Sequence, residues 1–351
     1  MDVIDRPRSA APAAPARRGG RTGSRAAGLV AALAVLAFVA LASLAVGAKP
    51  IPPGTVVHEL FHYDGSGDGV VIRTLRVPRT LLGLTVGAGL GLAGAVMQAL
   101  TRNPLADPGL LGVNAGAAAA VVVAIGALGL RSPAAYVWFA LAGAAVAAVA
   151  VYLLGARGRS TATPVRLALA GAAVSAVLIA FVWGLALTSP TTFDGYRFWS
   201  VGGLAGRSLS VVWQTGPFLL GGAVVALGLA RPLNAIALGD EAGRALGVHL
   251  GRTRILGIGA TTLLCGAATA AAGPIGFVGL TVPHVARAIT GPDQRWVLPY
   301  SMVLAPILLL AADIAGRVVA RPGEIEAGIV TAFVGAPVLV LLARRRRLAA
   351  L

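Results

Sequence analysis

Residues 76–116 read RVPRTLLGLTVGAGLGLAGAVMQALTRNPLADPGLLGVNAG. Two arginines, Arg76 and Arg79, stand at the mouth of an apolar pattern that reaches Gln98 without one ionisable side chain. An Arg102-Asn103-Pro104-Leu105-Ala106-Asp107-Pro108 turn closes it, and a second apolar run follows. A charged entrance, an uncharged interior and a polar exit describe a membrane span with a sidedness. About 20 apolar residues suffice to cross roughly 30 Å of hydrocarbon.

The rest of the chain repeats that grammar. Of its 351 residues, 57% are hydrophobic and 12% charged, with a mean hydropathy of +0.83. A soluble domain carries roughly 25% charged residues and could not bury so much apolar surface in one core. The composition therefore predicts an all-α polytopic membrane protein. The net charge of +16 does not indicate a nucleic-acid partner, because the arginines lie in short segments between apolar runs and are not interleaved with stacking aromatics. Cys265 is the only cysteine, which excludes an intrachain disulfide or a cysteine-based metal cluster.

Residues 1–25, rich in Arg, Ala, Pro and Gly, read as a basic disordered cytoplasmic tail, and residues 26–351 as the transmembrane domain. The apolar run 26–48 is long for a signal peptide and many spans follow, so it is expected to be a retained first helix. Further spans are expected near 80–100, 108–127, 134–155, 166–188, 209–230, 254–272, 276–290, 297–316 and 326–343, about ten in all. Breaks near Asn103–Pro108 and Gly273–Pro283 suggest discontinuous helices, which need protein or a cavity to satisfy their backbone. With the N-terminus inside, 20 of the 29 basic residues fall on cytoplasmic segments, which favours cytoplasmic N- and C-termini.

Gly83, Gly87 and Gly91 share one helical face, and Gly273, Gly276 and Gly279 recur further on. Small residues at this spacing let helices approach closely in lipid, as a static packing seam or a moving contact. A faint echo links 92–111 with 265–280: a small-residue helix, a proline, then a glycine-containing apolar run. Under the expected topology the two run in opposite directions, as an inverted repeat would.

The longest internal polar stretch, 231–254, reads RPLNAIALGDEAGRALGVHLGRTR. It predicts two short amphipathic helices outside the hydrocarbon, with Ala235, Leu238, Ala242, Ala245 and Leu246 able to share a face and Gly239, Gly243 and Gly247 allowing turns. An ordinary solvated loop is the alternative. The chain has no Gly-Lys-Ser/Thr phosphate loop, and Lys49 is its one lysine, so it cannot grip ATP in that manner. The spans also lack the mid-membrane ionisable groups of a gradient-driven carrier; Asp313, near an outer helix end, is the nearest candidate.

Seven sequence words, in order across residues 70–343, resemble the FecCD family of type II ABC importer permeases, which carries ferric siderophores, haem and vitamin B12. They are Arg76-Val-Pro-Arg79, Gly94-Ala-Val-Met-Gln98, the run 103–112, Leu238-Gly-Asp-Glu-Ala-Gly-Arg-Ala-Leu-Gly247, the run 273–284, Leu310-Ala-Ala-Asp-Ile-Ala-Gly-Arg317 and Gly335-Ala-Pro337. The resemblance implies the type II importer permease fold, a dimer of identical or paralogous permeases in the plasma membrane, and two ATPase subunits that hold the ATP and magnesium. This chain would then be a non-catalytic permease with no cofactor of its own. A solute-binding protein would deliver a ferric siderophore, with haem or cobalamin as alternative cargo.

The same resemblance assigns ATPase coupling to Leu238, Gly239, Asp240, Glu241, Ala242, Arg244, Leu246 and Gly247. It assigns binding-protein docking to Arg76, Arg79 and Arg317, for which structural salt bridges are the alternative. Thr161 and Thr163 are the gate candidates. Gln98, Asn103 and Asn114 could contact solute in the pathway or satisfy broken backbone ends. His284 suits helix capping better than haem ligation. His58 and His62 form an i, i+4 pair beside Glu59, but a loop between spans offers no evident third metal ligand.

Overall fold

The computed structural model describes residues 19–47, 49–156 and 164–344. The helices in chain order are α1 (Gly19–Ala45), α2 (Pro53–Phe61), α3 (Gly67–Val70), α4 (Val77–Thr101), α5 (Val113–Gly126), α6 (Pro133–Gly155), α7 (Pro164–Ala186) and α8 (Pro190–Val201). They continue as α9 (Leu209–Gly228), α10 (Ala230–Ala237), α11 (Asp240–Ala245), α12 (Leu250–Ala272), α13 (Val278–Thr290), α14 (Gln294–Val319) and α15 (Ala327–Arg344). Among the described residues, seven helical stretches are long and apolar enough to cross a membrane. With the shorter α5, α13 and α15 the helical segments matching the expected runs number about ten, although not all of them are long enough to cross.

Two boundaries differ from the sequence reading. The basic tail was expected to reach residue 25, but α1 is already helical at Gly19; the apolar pattern starts later than the backbone order, because residues 19–25 extend the helix beyond its hydrophobic part. Residues 1–18 lie outside the described residues. The second span begins earlier than expected: α3, a π-helical turn (Val71–Arg76) and α4 run on as one 35-residue stretch, Gly67–Thr101. Hydropathy does not mark that extension as part of the span, because Asp68, Arg73 and Arg76 interrupt its apolar residues.

α4 is the centre of the bundle, packed against α14, α12, α13 and α9. Its small residues make this possible. A methyl group built on Gly87 would stand 2.6 Å from the Pro306 Cα of α14, and one on Gly91 would overlap the Ser301 carbonyl. The Gly83–Gly87–Gly91 stripe is thus a close-packed seam against α14, backbone on backbone. At its other end α4 crosses α13 where a Gly94 methyl would overlap the Gly279 carbonyl oxygen.

Both expected breaks are present. α4 ends on Arg102 in the left-handed region (φ 49°), and Asp107 caps a 3-10 turn (Pro108–Leu111) by accepting from the Gly109 N–H at 2.7 Å. α12 ends at Gly273 (φ 77°), and α13 starts after Phe277 (φ 66°). At about 20 Å for its 13 residues, α13 is too short to cross roughly 30 Å of hydrocarbon. Its broken entrance is served by protein: Gly203 N–H donates to Ala272 C=O at 2.7 Å and Gly328 N–H to Gly202 C=O at 2.9 Å. α5 and α13 each follow a break, and α4 and α12 approach those breaks from opposite ends of the bundle.

Helix direction fixes which ends lie together. Tyr300, near the start of α14, donates to the Arg25 carbonyl at 2.6 Å, and the Gln294 N–H donates to Asn234 of α10 at 2.8 Å. The beginning of α1 therefore shares a face with α10 and α11, called the inner end below. Arg317, at the far end of α14, meets the last turn of α1, which marks the outer end.

Among the described residues, α2, read from sequence as part of a loop, and α8 had no counterpart in the sequence reading. α8 lies between two spans; Ser189 caps it by accepting from the Thr192 N–H, and Pro190 opens it. It is amphipathic and short, so neither length nor hydropathy announces it.

Candidate functional site

At the inner end, residues 230–245 form two short helices, α10 and α11, as expected. They do not share one apolar face. Gly239 (φ 105°) separates them, so Leu233, Ala235 and Ile236 of α10 are buried against the bundle while Leu238 and Leu246 stand 68% and 63% exposed. Glu241 and Arg244 are exposed beside them, and Gly247 (φ 80°) turns the chain into α12. Ala242 is half-buried.

Asp240 faces inward instead. Its Oδ1 accepts from Arg102 at 3.1 Å and its Oδ2 from Arg254 at 2.7 Å. One carboxylate thereby ties the 238–247 segment to Arg102 at the end of α4 and to Arg254 near the start of α12. Neither arginine was singled out from the sequence, because nothing local relates a residue at 102 to one at 240. α10 is held in turn by Asn234, which donates to Asp293 Oδ1 at 2.7 Å. Asp293 caps α14. Partial burial opposes its charge, yet hydrogen bonds from Arg295 and Asn234 hold its carboxyl down at about 2.

The polar residues of the 94–114 region are each committed to protein. Gln98 donates to Gly279 C=O at 3.3 Å and Leu280 C=O at 3.1 Å, and accepts from Arg287. It thus staples α4 to α13 one turn beyond the Gly94–Gly279 crossing. Asn103 accepts from the Leu105 N–H at 2.9 Å within its own turn. Asn114 accepts from Thr269 Oγ1 at 2.8 Å, joining α5 to α12. His284 Nε2 bonds Pro104 C=O at 2.8 Å. Thr161 and Thr163 lie outside the described residues.

At the outer end, Arg76, Arg79 and Arg317 are all buried. Arg76 donates to the carbonyls of Leu44, Ala45 and Lys49, where the open end of α1 is electron-rich. Arg317 donates to Ser43 C=O at 2.9 Å and Val46 C=O at 2.7 Å, and to Ser43 Oγ at 2.9 Å. Arg79 binds Asp313 through Nη2 at 2.8 Å and Nε at 3.0 Å, and Glu324 through Nη1 at 2.7 Å. Asp313 also meets Arg317 at 3.0 Å. The geometry is that of a structural clasp joining α1, α4, α14 and the loop before α15. Asp313, from sequence only the nearest candidate for an ionisable group in a span, is its centre.

A cavity of about 550 Å³ opens beside this clasp, bordered by Lys49, Arg76, Arg79, Arg207, Arg317 and Glu324. At the inner end a second, of about 540 Å³, lies among Met97, Leu100, Tyr152, Leu167, Arg244 and Ile255. The paired histidines of α2 stack, with ring centroids 5.3 Å apart; no group of three metal-capable side chains occurs among the described residues.

The FecCD transport family model matches residues 35–345. The ferric enterobactin transport system permease protein FepD of Escherichia coli is 46% identical over 304 residues, covering 86% of this chain and 90% of that protein. The cobalamin import system permease protein BtuC of Halobacterium salinarum is 37% identical, covering 80% and 75% respectively. Among solved structures, a metal-chelate type ABC transporter in an inward-facing conformation matches with a TM-score of 0.80 at 29% identity, over 90% of this chain and 98% of that one.

Proposed function

This chain belongs to the FecCD transport family, and from that membership we propose that it is the plasma-membrane permease of an ABC importer for a ferric siderophore. The relatives named for ferric enterobactin and for Fe(3+) dicitrate support an iron chelate as cargo. A separate ATPase binds and hydrolyses ATP with magnesium. A second permease, identical or paralogous, completes the pathway, and an extracytoplasmic solute-binding protein delivers cargo to the outer end. The inner end is cytoplasmic, with both termini on that side, in keeping with its arginine excess.

The observation that carries this reading is the division of labour in the coupling segment. Leu238, Glu241, Arg244 and Leu246 present an exposed mixed apolar and charged surface, which is the composition of a docking knob. Asp240 behind them is braced to α4 and α12. Force applied to the knob therefore reaches two core spans through ion pairs. Gly239 and Gly247 supply the turns that present it. Differential exposure of a pathway, driven by the partner's nucleotide cycle, is all the chain has to contribute.

Docking of the binding protein is assigned to the outer surface over the clasp, with Arg76, Arg79 and Arg317 as its buried floor. The gate is assigned to Thr161 and Thr163, and Gln98, Asn103 and Asn114 to the walls of the moving region. Against gradient coupling stands the placement of Asp313: it is fully buried and its carboxylate oxygens are taken up by Arg79 and Arg317.

The test is cargo accumulation in proteoliposomes holding the permease with its ATPase and binding protein. Accumulation that requires ATP and stops with a hydrolysis-dead ATPase supports the proposal. Accumulation by the permease alone would replace it with a secondary transporter.

A further inference from the structure

The cavity of about 540 Å³ at the inner end lies where five helices meet. Met97 and Leu100 come from the last turns of α4, Tyr152 from the end of α6, and Leu167 from the start of α7. Arg244 comes from α11, and Arg252, Arg254, Ile255 and Ile258 from the first turns of α12. Every span that walls the cavity does so with its inner end. The cavity therefore sits at the level where acyl chains give way to headgroups.

Its two parts differ in chemistry. The inner wall is apolar, with Met97, Leu100 and Leu167 buried and Ile258 half-buried. The mouth is cationic. Arg244 and Arg252 are exposed, and their side chains make no ion pair among the described residues. Arg254 shares the single carboxylate of Asp240 with Arg102, so that acid is already committed twice before the other two cations are counted. Among the described residues no acidic side chain lines the cavity. An apolar path also leads out of it along the span: Ile255 and Leu256 of α12 and Leu153 of α6 are exposed, on two helices that pack against each other.

We propose that this cavity holds one acyl chain of an anionic phospholipid of the inner leaflet, with the lipid phosphate on Arg244 and Arg252. A free anion would match the arginines and leave the apolar wall uncovered; a neutral lipid would cover the wall and leave the cationic excess unmatched. A phosphodiester that carries a chain answers both. Guanidinium groups take phosphate oxygens through charge-assisted hydrogen bonds, and basic pockets between spans on the cytoplasmic side suit such headgroups. The choice of leaflet rests on the importer reading above. A lipid seated here touches α4, α6, α7, α11 and α12 together, so it wedges the 238–247 segment against the spans that this segment moves. The charge of the surrounding membrane thereby becomes an input to coupling.

The experiment uses the full-length permease with its ATPase, stripped of lipid in detergent and titrated with defined lipids, and native mass spectrometry counts what is retained. The expected result is saturable retention of dioleoyl phosphatidylglycerol in clear preference to dioleoyl phosphatidylcholine. Arg252→Gln should weaken phosphatidylglycerol about fivefold, the scale of one arginine beside an anionic headgroup, and Arg252→Lys should restore most of it. Gly251→Leu, whose added side chain meets open space at the cavity wall, keeps both cations and should weaken both lipids. Arg231→Gln removes an exposed cation of α10 that does not line the cavity and should change nothing. No preference for phosphatidylglycerol in the wild type, unchanged affinity in Arg252→Gln, or an equal loss in Arg231→Gln would overturn the proposal. Full competition by inorganic phosphate would overturn it too, leaving an ion site with no chain. Retention by the permease alone that vanishes once the ATPase is bound would give the cavity to the ATPase and likewise overturn the lipid. If Arg252→Gln does not assemble, Gly251→Leu decides, and unchanged retention of both lipids rejects the site. ATP-driven accumulation measured in parallel separates the two readings. Selective retention without ATP-driven uptake counts against the importer alone, and uptake with unselective retention counts against the lipid site alone.

Discussion

Arg79 and Asp313 meet across the α4–α14 seam through three contacts of 2.8–3.0 Å, although they lie 234 positions apart. Asp313 is fully buried and serves Arg317 as well, so one carboxylate compensates two guanidinium groups at the outer end. A pair so placed does more to fix the arrangement of spans than to add stability, because its desolvation offsets much of its attraction. Removing one member is another matter.

Asp313→Asn leaves Arg79 and Arg317 buried without their shared counter-charge, and the expected loss is about 3–5 kcal/mol. Thermal unfolding of the detergent-solubilised permease should show a clear drop in Tm. Glu324→Gln, at the wet edge of the same cluster, should cost under about 1 kcal/mol. Equal behaviour of the two variants would show that Asp313 does not centre the clasp.

Gly94→Ala places a methyl group into the Gly279 carbonyl, a backbone atom with nowhere to move. Overpacking of this sort costs about 1–3 kcal/mol or more, and the yield of folded protein in the membrane should fall. Gly276→Ala meets nothing within 4 Å and should express normally. A well-folded Gly94→Ala protein would mean the α4–α13 crossing is looser than described.

Asp240→Asn removes two ion pairs without altering the exposed knob. ATPase co-purification should persist while transport per ATP hydrolysed falls roughly threefold to tenfold, the scale of two partly exposed pairs. Glu241→Arg acts on the knob itself and should abolish co-purification. Full coupling in Asp240→Asn would reject the brace.

The pH response of the inner end follows from Asp293. Its pKa falls from 3.8 to about 2 on folding, so the charged form is favoured by the native state. The resulting stabilisation is complete above about pH 4 and is lost as pH falls toward 2. Asp293→Asn should flatten that part of the Tm profile, measured between pH 5 and 2 in steps of about half a unit. An unchanged profile would deny the Arg295 and Asn234 contacts any role in ionisation.

The spans were legible because lipid demands one signal from each, an apolar run of sufficient length, and 133–155 or 250–272 supply it without ambiguity. Breaks at Asn103–Pro108 and Gly273 were legible from proline and glycine. What hydropathy could not register was short or charge-interrupted helix: α2, α8, and the 67–76 extension that sets Arg76 beneath the end of α1. Pairing was also hidden. Asp313 with Arg79, and Asp240 with Arg102, are joined only when distant spans pack, so the sequence offered the charges but not the partners. A motif word gives the arginines but not their partners; the backbone carbonyls that Arg76 and Arg317 hold appear only once α1 packs beside α4 and α14.

The burial of those arginines changes what an approaching solute meets. Nine cations fall on the outer side by chain position, yet Arg76, Arg79 and Arg317 spend their charge on internal oxygens. Long-range attraction from outside is left to the peripheral ones, Arg131 and Arg207 among them. The landscape felt by an anion is therefore lopsided, drawing it toward the α6–α8 rim of the mouth and away from the middle.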